Sequence, residues 1–209
     1  RTPELQLVNP DLNEDIYNLI EAAELDPEQE AKLERELSRQ YHILTRDDRL
    51  ETVAQDIVRH FLGRGFVGKA MVVSIDKATA LKMHDKVRKH WAAERGRVER
   101  ELGRYDLVED KKAELLARLD VLKTTDMALI VSPGQNEIQQ MQKHGLDIVP
   151  HRQRMNDSQP PLDEKFKDTD DKLRIVFVCA MWLTGFDAPS CSTVYLDKPM
   201  RNHTLMQTI

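Results

Sequence analysis

The sequence has few cysteines, no excess of basic over acidic residues and no long apolar run, and each of these absences excludes a class of protein. Its two cysteines, Cys179 and Cys191, fit neither a disulfide framework nor a structural metal site. No apolar run approaches the roughly 20 residues of a membrane-spanning helix. The net charge of −5 disfavours a domain that binds duplex DNA mainly by neutralising phosphates. We therefore expect a cytoplasmic protein with no membrane partner and no bound metal.

The chain does contain short apolar runs that alternate with helical patterns. Near-continuous apolar residues are typical of parallel strands that are covered on both faces. Such runs lie at residues 69–75, 127–131, 173–179 and 193–196. Strands that alternate with helices predict an α/β fold, namely a parallel sheet with helices on both faces.

Two further segments complete the predicted organisation. Residues 1–45 are interpreted as a linker and N-terminal helices, and residues 46–209 as the α/β domain. Within that domain, residues 95–123 are densely charged with both signs mixed and contain six leucines, which predicts a projecting helical hairpin. Residues 144–172 are expected to be loop-rich, with one short helix near 162–166.

One motif resembles a phosphate-binding loop but fails on composition and context. Gly63, Gly68 and Lys69 have the spacing of a P-loop, yet Ala70 stands where Ser or Thr would bind magnesium. A working P-loop follows a strand and opens a helix, whereas here a helical pattern precedes the glycines and a strand pattern follows. A simple helix-to-strand turn is therefore predicted.

The strongest candidate site follows the apolar run at residues 173–179. Loops at the carboxyl ends of parallel strands line the ligand crevice of α/β folds, and Thr184, Gly185 and Asp187 lie in such a loop. Glycine permits close backbone approach, and a carboxylate can accept from ribose hydroxyls or pair with an arginine. Taken alone, the four residues 184–187 favour an ordinary strand-exit turn.

Four segments carry a family pattern in order along the chain, namely residues 69–83, 127–137, 176–189 and 196–209. Together they resemble the motor part of type I restriction enzyme R subunits, a branch of the superfamily 2 helicases. In that order they are similar to motif IV, to the strand and Ser-x-x-x-Asn-Glu element before motif V, to motif V, and to the run into motif VI. In the segment 127–137, the Ser-x-x-x-Asn-Glu pattern is formed by Ser132, Asn136 and Glu137. The resemblance covers residues 69–209.

This resemblance implies the second RecA-like domain of an ATP-dependent DNA translocase within a restriction endonuclease. ATP and Mg²⁺ would be bound in the full-length protein, between this domain and a first RecA-like domain that supplies the P-loop. The other expected partners are double-stranded DNA and the modification and specificity subunits. The motif VI arginines are expected just after Ile209, so the chain alone is predicted to be inactive and to carry no catalytic residue.

The resemblance also assigns site residues. Nucleotide contacts are predicted for Gly185, Asp187 and Gln207. Contacts to the DNA backbone are predicted for two groups of residues, the strand-exit residues and a local basic cluster. They are Ser74, Ser132 and Thr184, and His151, Arg152 and Arg154. For the basic cluster, a solvated loop face is the simpler alternative.

Two other functions remain open at this point. In the first, the domain is a non-enzymatic assembly module whose charged helices dock another subunit, without a role in ATP turnover. Alternatively, the domain would belong to a motor of another superfamily 2 branch, such as a remodeller or a repair helicase.

Overall fold

The computed structural model describes residues 39, 41–179 and 187–198. The chain divides into two compact units, Arg1–Arg49 and Leu50–Ile209. The strands are β1 Lys69–Ser74, β2 Asp126–Leu129, β3 Leu173–Val178 and β4 Cys191–Asp197. The helices are α1 Asp47–Gly63, α2 Lys77–Leu102, α3 Glu109–Thr124, α4 Glu137–Lys143, α5 Val149–Asp157 and α6 Leu162–Lys167. The predicted boundary between residues 45 and 46 stays a prediction.

Within the described residues the four strands form one parallel sheet in the order β2-β3-β1-β4. Val73 of β1 lies opposite Val178 of β3 and Leu196 of β4. On the other side of β3, Leu129 of β2 lies opposite Phe177. The predicted α/β fold, a RecA-like parallel sheet flanked by helices, is confirmed.

Alternate residues of the central strands pack into two separate hydrophobic cores, because successive side chains of a strand point to opposite faces. On one face, Val72 and Phe177 pack in a cluster with buried residues of α1 and α2, such as Phe61 and Leu81. On the other face, Val176 and its neighbours pack with α6. These runs are apolar throughout because both faces of the strands are covered.

The charged segment forms a helical hairpin, as predicted, but its first arm is the continuation of α2. The indole nitrogen of Trp91 in α2 donates to the carbonyl of Leu122 in α3, at 2.9 Å. Val98 and Leu115 are buried between the two arms, whereas Tyr105 in the connecting turn is fully exposed. None of the helices in the described ranges is both long enough and apolar enough to cross a bilayer.

The glycine-rich segment between α1 and β1 is a helix-to-strand turn, as predicted. Helix α1 ends at Gly63 and strand β1 begins at Lys69. The Lys69 side chain is buried and its Nζ donates to the carbonyl of Lys165 at 2.6 Å. Burial lowers the pKa of this amine. Its ammonium group is thus buried against α6 rather than exposed in the turn.

The expectation of a loop-rich stretch over residues 144–172 is wrong in one part. Residues 149–157 form helix α5, with Pro150 in its first turn, where a missing amide hydrogen costs nothing. Helix α5 has no buried residue, so its sequence lacks the apolar periodicity from which helices are predicted. The short helix expected near 162–166 is present as α6.

Candidate nucleotide and nucleic-acid interface

The crossover connections that leave the two central strands, β1 and β3, run in opposite directions across the sheet. From β1 the chain crosses to β2, on the far side of β3, and from β3 it crosses to β4, on the far side of β1. In open α/β sheets, ligands bind outside the carboxyl ends of the strands at such a reversal. The candidate site is therefore the edge of the sheet where β1 and β3 end, at Ser74 and Val178.

Ser74 occupies the centre of this edge. The residue is fully buried, and its hydroxyl oxygen has no hydrogen-bond partner among the described residues. A buried hydroxyl without a partner is uncommon in native folds, so the position is consistent with a group that binds something else. Two residues further on, Asp76 caps α2 by accepting from the amide of Thr79 at 2.6 Å.

The ends of β3 and β4 are joined across β1. Lys198 directly follows β4, and its Nζ donates to the carbonyl of Cys179, which follows β3, at 3.5 Å. Sequence reasoning missed this lysine, although it lies in the segment that resembles the run into motif VI. The contact places an ammonium group over the carboxyl edge of the sheet, where an anionic ligand would be attracted.

The predicted loop after β3 is described only at its end. Asp187 is exposed, and Cys191 donates its amide to the carbonyl of Ala188, at 2.8 Å, in the turn that precedes β4. Thr184, Gly185 and Gln207 lie outside the described residues. The predicted nucleotide contacts of Gly185, Asp187 and Gln207 therefore stay predictions, as does the DNA contact of Thr184.

Arg152 clamps the loop that follows β2. Its guanidinium group binds both carboxylate oxygens of Glu137, at 2.7 and 2.8 Å. It also donates to the carbonyls of Val131 and Ser132, at 3.0 and 3.1 Å. This fork holds the Ser-x-x-x-Asn-Glu segment, in which Asn136 has a left-handed backbone with φ of 54°. Ser132 itself is half-buried at the carboxyl edge.

Arg154 lies at the opposite edge of the sheet. It pairs with the carboxylate of Asp126 and donates to the carbonyl of Met127, at 2.7 Å, where β2 begins. The structure thus does not bring Arg152 and Arg154 together as one basic patch, and both have intramolecular partners. Their contact with DNA stays a prediction.

His151 packs against another histidine rather than joining a basic surface. Its ring meets the ring of His84 edge-on, with centroids 4.6 Å apart and planes at 88°. Burial and, to a smaller extent, the neighbouring His84 lower the pKa of His151 to about 4. At neutral pH the ring is uncharged, so a DNA contact by His151 would not rest on charge.

Comparison with known proteins agrees with the motif resemblance. The family model for "Type I restriction enzyme subunit R domain 3" matches residues 135–209. The chain is 29% identical, over 90% of its length, to the Type I restriction enzyme HindI endonuclease subunit of Haemophilus influenzae. It is 28% identical, over its whole length, to the putative type I restriction enzyme MjaIXP endonuclease subunit of Methanocaldococcus jannaschii.

A third relative matches a shorter part of the chain. The putative MjaVIIP endonuclease subunit of the same archaeon is 46% identical over 46 residues, or 22% of the chain. The chain spans only 15% and 17% of the lengths of the first two relatives. These matches show that the chain is similar, over most of its length, to part of the type I restriction enzyme endonuclease subunits, and that residues 135–209 match domain 3 of subunit R.

Proposed function

We propose that this chain supplies part of the second RecA-like domain of an ATP-dependent motor that translocates double-stranded DNA within a type I restriction endonuclease. The observation that carries the proposal is the reversal of chain direction at β1 and β3. The segment similar to motif V begins within β3, which pairs with β1, and β1 ends at the unpartnered hydroxyl of Ser74. A ligand-sensing loop is expected at such a position in this fold.

The contacts to ATP, Mg²⁺ and DNA are assigned to the two RecA-like domains according to the side chains that this chain contains. Among the described residues, the P-loop-like turn offers no phosphate cradle, because Lys69 is bound under α6. The phosphates of ATP and the Mg²⁺ ion are therefore assigned to the first RecA-like domain. The exposed Asp187 is proposed to contact the nucleotide as a hydrogen-bond acceptor, and nucleotide contacts are proposed for Gly185 and Gln207 as well. Ser74, Ser132 and Thr184 are proposed to face the DNA backbone.

The test uses the full-length R subunit assembled with its modification and specificity subunits. Asp187→Ala and Gly185→Val are each expected to lower DNA-stimulated ATP hydrolysis by about tenfold or more, because the second domain stabilises the transferred phosphoryl group only when its loop is in place. Asp170→Ala is the matched control, because Asp170 lies near the opposite edge, before β3. Wild-type rates in both loop variants would rule out the motif V assignment.

A docking role for the hairpin is the second candidate, supported by its exposed apolar residues. Tyr105 is fully exposed and Leu116 is half exposed on α3. If the hairpin docks another subunit, Tyr105→Ser combined with Leu116→Ser should abolish co-purification with the modification and specificity subunits. Ile138→Ser, at an exposed apolar residue of α4, is the control. If the double variant co-purifies with these subunits as well as the wild type does, the exposed apolar residues of the hairpin do not dock them.

A further inference from the structure

Two histidines and an aspartate meet between α2 and α5. His84 and Asp85 are neighbours on α2, and His151 lies in the first turn of α5. One ligand atom from each residue lies within 4.8 Å of the other two. The Nδ1 atom of His84 is 2.9 Å from a carboxylate oxygen of Asp85. The three side chains are brought together by the fold, since 66 positions separate His151 from Asp85 in the sequence.

The surroundings of the cluster hold the side chain of His84 in place and leave the side chains of Asp85 and His151 accessible to solvent. His84 is buried, and its ring packs edge-on against Phe177 of β3, with centroids 5.3 Å apart. Asp85 is exposed and His151 is half-buried. The cluster is therefore anchored on the core at His84 and open to water on the side of Asp85, which gives a cation a route to all three groups.

We propose that His84, Asp85 and His151 bind a divalent transition-metal cation of the zinc class, with one coordination position left to water. Two imidazoles and a carboxylate are the donor set that zinc and its neighbours in the first transition row accept. Calcium and magnesium prefer all-oxygen sites and are not expected to bind. The proposal is independent of the motor function.

The geometry requires only small movements of the two accessible side chains. Ligand atoms around a tetrahedral zinc ion lie about 3.4 Å apart, given metal–nitrogen distances near 2.1 Å. The cluster approaches this spacing, and Asp85 and His151 can close the remaining gap by rotating their side chains.

A bound cation would connect α2 to α5. Because the next residue of α5 is Arg152, which holds the loop after β2, the same cation would stabilise the carboxyl edge of the sheet. We assign the site a stabilising role, since none of the three ligands follows a strand at that edge.

The test is zinc binding by the tag-free 209-residue chain after treatment with a chelator, measured by calorimetry with Zn²⁺ alone. One equivalent is expected to bind, and the thermal midpoint should rise by several degrees at saturating zinc. His151→Gln and Asp85→Asn should each weaken binding by about tenfold or more. Both positions are accessible, so these variants are expected to fold. Cobalt in place of zinc should give the visible absorption of a four-coordinate site.

His144→Gln is the matched control, because His144 is exposed and lies outside the cluster, and it should bind zinc like the wild type. The proposal is overturned if the wild-type chain takes up no zinc at concentrations up to about 100 µM, which corresponds to a weak complex. Equal zinc affinity in the wild type, His151→Gln and Asp85→Asn would overturn it as well, because the ion would then be bound elsewhere.

Discussion

Replacing Arg152 with alanine is expected to lower the free energy of unfolding by about 3–5 kcal/mol, because it leaves a poorly solvated carboxylate without its counter-charge. The side chains of Arg152 and Glu137 are only 18% and 10% exposed. The substitution also removes the donor from the carbonyls of Val131 and Ser132. Urea denaturation of the purified chain measures the difference.

Arg104→Ala provides the matched control. Arg104 also pairs with a carboxylate, that of Asp106, but both side chains are more than half exposed. An exposed pair contributes about 1 kcal/mol or less, so this variant should unfold almost like the wild type. Arg152→Lys should fall between the two, because lysine keeps the charge but loses the planar fork. Equal stability of Arg152→Ala and Arg104→Ala would show that the clamp contributes nothing.

The second large effect is expected for Phe177→Ala, with a loss of about 3–5 kcal/mol. Phe177 lies on the central strand β3 and is fully buried, with neighbouring strands on both sides. Truncation would leave a cavity beside the ring of His84, and a packed sheet cannot collapse to fill it. The thermal midpoint and the urea midpoint should both fall.

Phe66→Ala is the same substitution at a half-exposed position, in the turn before β1. Its ring contacts the guanidinium of Arg64, at 4.7 Å from the ring centroid, a contact that contributes about 1 kcal/mol at an exposed site. The expected loss is therefore a fraction of that for Phe177→Ala. A comparable loss in both variants would contradict the assignment of Phe177 to the main core.

The central strands could be predicted from the sequence because burial on both faces makes them almost continuously apolar. Residues 69–75 and 173–179 are recognisable for this reason, and β1 and β3 occupy most of them. Ser74 could be placed at the carboxyl edge because it lies at the end of the first of these apolar runs. Helix α5 could not be predicted, because its stability comes from partners distant in sequence and not from an apolar face.

The partners of the two arginines illustrate what local patterns leave out. Arg152 binds Glu137 across a loop, and Arg154 binds Asp126 at the far end of β2. Read without the fold, the same residues look like a basic cluster, since nothing in the segment indicates a partner 15 or 28 positions away. The contact between His84 and His151 was hidden for the same reason.

The continuity of α2 has a mechanical consequence. Its 26 residues form a rod about 39 Å long, at 1.5 Å per residue. The rod lies on the sheet near its start and is braced against α3 by the bond from Trp91 to Leu122. A tilt of about 10° at the base would thus carry Tyr105 through about 7 Å at that length. Small rotations of the sheet are converted into large excursions at the far end of the hairpin.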